Sequence, residues 1–208
     1  MIKVEDVTLK VKDITILDSI SMEIKPSQIV GLVGENGSGK TMLMKCICGL
    51  YSSYTGSIKV QGKEMGKEID FCPDLRFIIE TPGFIPYYSG LKNLKILAKL
   101  QKKIQAQDIR EAMQKVGLDA DMRRSVRKYS LGMRQRLGLA QVFMEDPEIM
   151  VLDEPFNALD KQMTGIIRDL LHEQREQGKA ILISSHNPLD IELLCDVVYE
   201  MEKGRIVK

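Results

Sequence analysis

The stretch GLVGENGSGKT, residues 31–41, decides how this chain is read, because it crowds four glycines, a lysine and a threonine into eleven positions. A glycine inside a helix costs about 1 kcal/mol relative to alanine, so glycine at this density supplies backbone geometry that other residues cannot reach. Gly34, Glu35, Asn36, Gly37, Ser38, Gly39, Lys40 and Thr41 fit the pattern GxxxxGK[ST] at every required position, after an apolar strand-like run and before a helical one. In that setting successive backbone N–H groups curl around a β-phosphate. Lys40 adds a mobile cation for the β- and γ-phosphates, and the Thr41 hydroxyl is placed to ligate Mg²⁺. A glycine-rich turn without a ligand is the plainer alternative for this stretch taken alone.

Working outward, residues 2–24 alternate apolar and polar (KVEDVTLKV, ITILDSISMEI), which predicts antiparallel strands with one wet face. Past Pro26 the pattern changes to short continuous apolar runs: IVGLVG, RFIIE from Arg76, EIMVLDEP from Glu148 and AILISSH from Ala180. Runs of this kind are buried on both faces and predict a parallel sheet, and the helical patterns between them predict α/β architecture. Residues 90–128 hold no such run. There GLKNLKILAKLQKKI sets Leu91, Leu94, Leu97, Leu100 and Ile104 on one helical face, with Lys92, Lys95, Lys99, Lys102 and Lys103 largely elsewhere. A second helix near AQDIREAMQKVGL stops around Gly117. The expectation is one domain over 1–208, with a core of about 1–89 and 129–208 and an inserted helical subdomain of about 90–128.

At 208 residues, 44% hydrophobic and 28% charged, the chain has the balance of a globular protein with a sizeable core. A net charge of +1 offers no global field for nucleic acid or an anionic membrane, so any anion is held locally. MIKVEDVTLK lacks the apolar run of a signal peptide, and no window nears the ~18 apolar residues of a membrane span, so a cytoplasmic location is expected. Cys46, Cys48, Cys72 and Cys195 read as buried or idle thiols rather than a metal site.

The run EIMVLDEP ends in Asp153 and Glu154, two carboxylates that repel one another unless a cation or a proton lies between them. Asp153 is suited to holding magnesium from its second shell, and Glu154 to orienting or deprotonating a water. Between this run and the glycine-rich loop lies YSLGMRQRLGLAQVF, and after it come NALD and SSH.

In that order, these motifs resemble the nucleotide-binding subunit of ATP-binding-cassette (ABC) transporters over nearly the whole chain. The resemblance implies a P-loop NTPase core with a mostly parallel sheet, an N-terminal antiparallel β-subdomain and an inserted α-helical subdomain. It implies ATP and Mg²⁺, with Glu154, His186 and Lys40 as catalytic residues and Thr41, Glu80 and Asp153 around the metal. Tyr129 to Met133 looks like the family signature, LSGGQ in its commonest form, and Phe156 to Asp160 like its D-loop, with Asn157 and Asp160 as the loop's polar residues. The resemblance further implies a head-to-tail dimer with two sandwiched ATP molecules. Ser130, Leu131, Gly132 and Met133 then face the nucleotide on the opposite P-loop, since a serine-capped helix start is an anion site that is redundant within one subunit. Ser130 and Asp160 as plain helix caps remain open readings. Asn187 and Pro188 suit the cap and first position of a helix directly after His186.

Two positions depart from the family pattern. Where most cassettes carry glutamine this chain has Glu80, which either ligates the metal or is protonated, and IIETPGF resembles cassettes paired with ABC-2-type permeases, the bacitracin-export and lantibiotic-immunity branch included. Where the family stacks an aromatic ring on adenine, near Thr8 and Val11, TLKVKDIT has none; weak base stacking and loose selectivity for ATP over GTP are expected. TPGFIPYYSG is the natural docking site for a permease if Phe84, Tyr87 and Tyr88 are exposed; the alternative is that they pack inward.

The expected function is therefore the ATPase subunit of a transporter, most simply an exporter. Such a subunit is expected to work as a homodimer of cassettes on separate permease chains, at the inner face of the cell membrane, without nucleic acid. The rival is a regulatory ATPase of the same superfamily acting on ribosomes or DNA. Those relatives carry two cassettes or a long coiled coil, and this chain has one cassette and no heptad run. A small-molecule kinase would need neither YSLGM nor a D-loop.

Overall fold

The alternating N-terminal segment buries Ile2, Val4, Val7 and Leu9 from strand β1 (Ile2–Val11) and Leu17, Ile20, Met22 and Ile24 from β2 (Ile14–Ile24). The two pair antiparallel from Ile2↔Ile24 to Val11↔Ile14. The chain then continues through β3 (Gln28–Val33), α1 (Lys40–Ile47), β4 (Thr55–Val60), β5 (Lys63–Glu64), β6 (Leu75–Ile78), α2 (Gly90–Ala98) and α3 (Ala106–Lys115). A 3-10 turn at Val126–Lys128 precedes α4 (Leu131–Met144), β7 (Ile149–Leu152), α5 (Lys161–Glu176), β8 (Ala180–Ser184), α6 (Pro188–Leu194), β9 (Val197–Glu202) and β10 (Arg205–Ile206). This computed structural model describes residues 1–100 and 104–208.

Two sheets result. A four-stranded antiparallel sheet runs β2-β1-β4-β5, and a six-stranded sheet runs β10-β9-β3-β8-β7-β6. In the second, β9, β3, β8, β7 and β6 are mutually parallel and only β10 is antiparallel. The four continuous apolar runs form adjacent strands, β3, β8, β7 and β6, because only strands covered on both faces tolerate such composition. Leu32, Val151 and Leu182 face α1 and the antiparallel sheet, while Ile29, Met150 and Ile183 face the helical side with Leu137 and Ile167. Each such side chain, fully buried, contributes roughly 1.5–3 kcal/mol. The carboxyl ends of the parallel strands therefore open at one edge, and Gly34, Glu80, Asp153 and His186 follow those ends in sequence.

The insertion matches its expected order with one correction. α2 is capped by Ser89, whose hydroxyl accepts from the Lys92 amide, and buries Leu94 with Leu91 and Leu97 packed beside it. It stops at Ala98, so Leu100 lies beyond the helix and is exposed, whereas Ile104 returns to the core. Lys92, Lys95 and Lys99 are exposed; Lys102 and Lys103 lie outside the described residues. α3 opens with a capping box between Gln105 and Asp108, and Gly117, at φ 67°, follows its end. Among the described residues, no helix is long and apolar enough to cross a membrane.

Candidate functional site

The glycine-rich loop joins β3 to α1 and is shaped by its neighbours. Gly34 has φ 141°, and a Cβ there would lie 2.1 Å from the Met201 carbonyl oxygen of β9. Gly39, at φ 107°, caps α1 beneath the Ile16 carbonyl of β2, which would be 3.0 Å from a Cβ. Lys40 is buried, and its ammonium donates to the carbonyl oxygens of Gly34 at 2.6 Å and Glu35 at 2.9 Å, folded over its own loop. The Ser38 Oγ is buried with no hydrogen-bond partner among the described residues, which costs about 1–3 kcal/mol unless a ligand satisfies it. No acidic residue stands in the first turn of α1, leaving its positive dipole end unopposed. An orphaned hydroxyl, a glycine cradle and a free helix start fit a nucleotide's phosphates.

Across the sheet edge a continuous relay joins the loop to the carboxylates. Thr41 Oγ1 donates to Asp153 Oδ2 at 2.8 Å, and Ser184 Oγ donates to Asp153 Oδ1 at 2.6 Å while accepting from the Glu154 amide at 2.9 Å. Glu154 sits at φ 50°, a left-handed conformation that costs a non-glycine residue of order 1 kcal/mol or more. The Ser184 bond and the Gln135 side chain, donating to the Glu154 carbonyl at 3.2 Å, hold it there. The His186 amide donates to Glu154 Oε2 at 3.3 Å, and His186 Nε2 lies 3.1 Å from Oε1. Burial pushes the Glu154 carboxyl above the usual carboxylate range, with His186 opposing the rise and Asp153 adding to it. Ser184 and Gln135 escaped the sequence reading; a serine closing the apolar run AILIS was the available signal for the first.

Thr41 and Asp153 thus sit together, as a site for Mg²⁺ beside phosphates requires. Among the described residues no group of three or more His, Cys, Asp and Glu is suited to hold a metal alone, so phosphate oxygens would have to complete the shell. Glu80 has a partner that the sequence did not indicate. Its φ is 61°, its side chain is two-thirds exposed, and Oε1 accepts from Lys45 Nζ of α1 at 2.5 Å. It nonetheless lines one cavity of about 200 Å³ with Asp153, Glu154, Gln135 and Asn157.

The helix carrying the YSLGM motif starts at Leu131. Ser130 Oγ accepts from the Met133 amide at 3.1 Å, a genuine N-cap, and leaves the Leu131 and Gly132 amides at the exposed tip. A Cβ on Gly132 would lie 2.4 Å from the Ala158 carbonyl, so this tip packs on the Asn157–Asp160 loop of its own chain. Asp160 caps α5, accepting from the Met163 amide at 2.8 Å, and Asn187 caps α6 with Pro188 in its first turn.

The remaining expected positions divide. Thr8 Oγ1 is engaged by the Ser19 amide at 3.0 Å within the β1–β2 pair. Val11 and Ile14 form an exposed aliphatic hairpin tip in place of a ring. In the loop before α2, Tyr87 is 74% exposed and Ile85 is exposed, Phe84 packs on the core, and Tyr88 lies under the Lys92 ammonium at 3.6 Å. Both outcomes, exposed and inward, therefore occur within one loop. Cys46, Cys48 and Cys72 are buried and Cys195 half-buried, all free, with burial pushing the Cys46 and Cys195 thiols up to about 12.

Comparison with known proteins agrees with this geometry. Residues 17–157 match the family described as ABC transporter. The chain is 42% identical over 206 residues to the uncharacterized ABC transporter ATP-binding protein YybJ of Bacillus subtilis, covering 99% of this chain and 94% of the relative. It is 37% identical to the bacitracin transport ATP-binding protein BcrA of Enterococcus faecalis, over 100% of this chain and 68% of the relative. Among solved structures it superposes on the dimeric post-hydrolysis ATP-binding cassette MJ0796, bound to ADP and Pi, with a TM-score of 0.88 at 20% identity, covering 100% and 97% of the two chains, a likeness of fold. With a phosphate cradle wired to paired carboxylates, and relatives matched along its whole length, this chain belongs to the ABC transporter family as an ATP-binding subunit.

Proposed function

We propose that this subunit hydrolyses ATP as one of two identical cassettes and drives export of an amphiphile through a separate membrane permease, to which it docks at the inner membrane face. The observation that carries the reading is the relay Thr41–Asp153–Ser184–Glu154–His186, which joins phosphate, metal and base positions in one hydrogen-bonded line.

In this reading Gly34 to Thr41 wrap the β-phosphate, and Lys40 exchanges its two loop carbonyls for β- and γ-phosphate oxygens. Thr41 and Asp153 would hold Mg²⁺, which would supply positive charge to offset that of the phosphates. Glu154 accepts the proton of the attacking water as its oxygen bonds to the γ-phosphorus and the bond to the β-bridging oxygen breaks, releasing ADP and phosphate. Because burial raises the Glu154 pKa, its basic form is reached only above the ordinary glutamate range, so hydrolysis falls on acidification from a higher pH than a free carboxylate would give. His186 contacts the γ-phosphate from the Glu154 side. Ser130 and the Leu131 and Gly132 amides of the second copy close the pocket, and Asn157 and Asp160 carry that closure across the dimer. Val11 and Ile14 give the base an aliphatic platform.

Residues 90–128 then form the lever, and the loop holding Ile85 and Tyr87 is the permease contact. Support for a transported amphiphile comes from the bacitracin transport relative. The test is co-purification of a membrane permease from the native cell: Tyr87→Ser should spare soluble ATPase activity and lose permease association. Retained association would remove the loop from the interface.

A further inference from the structure

Helix α5 presents three nitrogen-bearing side chains at helical spacing, Arg168, His172 and Arg175, toward α6 and the turn into β9. The rungs they form are unequal. Furthest from the nucleotide edge, Arg175 Nη1 bonds Asp196 Oδ1 at 2.9 Å, and the other Asp196 oxygen accepts from the Ile29 amide of β3 at 2.7 Å. In the middle, His172 Nε2 meets the Leu193 carbonyl at 3.2 Å. At the top, beside the Asn157–Asp160 loop and His186, Arg168 Nε stops 3.8 Å from Asp190 Oδ1. Both of those atoms are buried without a hydrogen bond among the described residues, and the Asp190 side chain is 4% exposed.

An ion pair that is buried yet open costs desolvation without recovering the bond, an arrangement better suited to a movable joint than to a fixed support. Asp190 is tied to the switch turn, since Ser185 Oγ donates to its Oδ2 at 3.5 Å and accepts from the Asn187 amide at 3.1 Å, on either side of His186. Arg168 is tied to the loop through α5, which Asp160 caps. The residues also line one cavity of about 590 Å³ with Glu154, Asn157, Ala158 and His186.

We infer that Arg168 and Asp190 are positioning residues: their rung closes to a direct hydrogen bond when the cassette closes, setting His186 against the γ-phosphate according to the state of the Asn157–Asp160 loop. This rests on the hydrolytic reading above. Steady-state ATPase and thermal melting of the full chain are measured for Arg168→Gln, Asp190→Asn, the double variant, Asp190→Glu and Arg175→Gln. Each upper-rung single variant should lower kcat about tenfold with KM for ATP within about twofold, and the double variant should be no worse than either. Asp190→Glu, one methylene longer, should keep kcat, while Arg175→Gln should lower the Tm and leave kcat alone. Losses that multiply in the double variant, or an Arg168→Gln that changes only the Tm as Arg175→Gln does, overturn the inference. Should the parent hydrolyse no ATP, the functional reading fails instead, and amide exchange at residues 187–191 of the nucleotide-free protein decides the joint. Asp190→Glu should slow exchange and Arg168→Gln speed it; equal exchange in all three proteins overturns it.

Discussion

Two helix starts in this molecule present unopposed positive dipole ends, and they are built differently. α1 opens inside a cradle: Gly34 pressed against β9, Lys40 folded over the loop, Ser38 buried and unsatisfied, and Thr41 bonded to Asp153. α4 opens at the surface, with exposed Ser130 and Leu131, its cap bond already made, and Gly132 packed against the Asn157–Asp160 loop. Neither carries an acidic residue in its first turn. The difference suits the first start to hold phosphates by itself and, in the proposed reading, the second to close over them as a lid, since it offers its dipole and amide donors at the surface.

The comparison breaks most easily at the complete site. Lys40→Ala should lower ATP hydrolysis by about 10²–10³, measured by phosphate release, since it removes the buried ammonium folded over the glycine-rich loop. The lid is tested by Ser130→Asp, because aspartate caps a helix as well as serine does but puts a negative charge where a γ-phosphate must arrive. The Tm should hold while hydrolysis falls about 10- to 100-fold; unchanged hydrolysis would reduce Ser130 to a cap.

Smaller effects sharpen the cradle's edges. The parent should turn over ATP and GTP comparably, and Val11→Tyr should tighten ATP about fivefold or more by equilibrium titration if a base–aromatic stack is what the hairpin tip lacks. Glu80→Gln should retain hydrolysis and shift the half-saturating magnesium concentration by only about two- to threefold, because the pair it breaks with Lys45 is exposed. An unchanged magnesium curve would leave Glu80 with no part near the metal.

Much of this was legible in the sequence because strong local chemistry announces itself. Short continuous apolar runs bounded by turn residues fit doubly covered strands, so β3, β6, β7 and β8 match the sequence reading and each leads to its polar residue at one edge. The strands β4, β5, β9 and β10 were not read, since short, half-exposed strands at the sheet margins carry too little pattern. Within the site, roles that depend on who stands opposite were hidden: Lys45 facing Glu80, Ser184 bridging Asp153 and Glu154, and Phe84 turning in while Tyr87 turns out. Those are facts of tertiary juxtaposition, which spacing along a chain does not encode.

The decisive measurement is the mass of Glu154→Gln in solution, by sedimentation, with saturating ATP and Mg²⁺ and with its permease present or absent. Pairing of two copies through cradle and lid requires a nucleotide-dependent dimer that dissociates when magnesium is chelated. A protomer that stays single under every one of these conditions contradicts it.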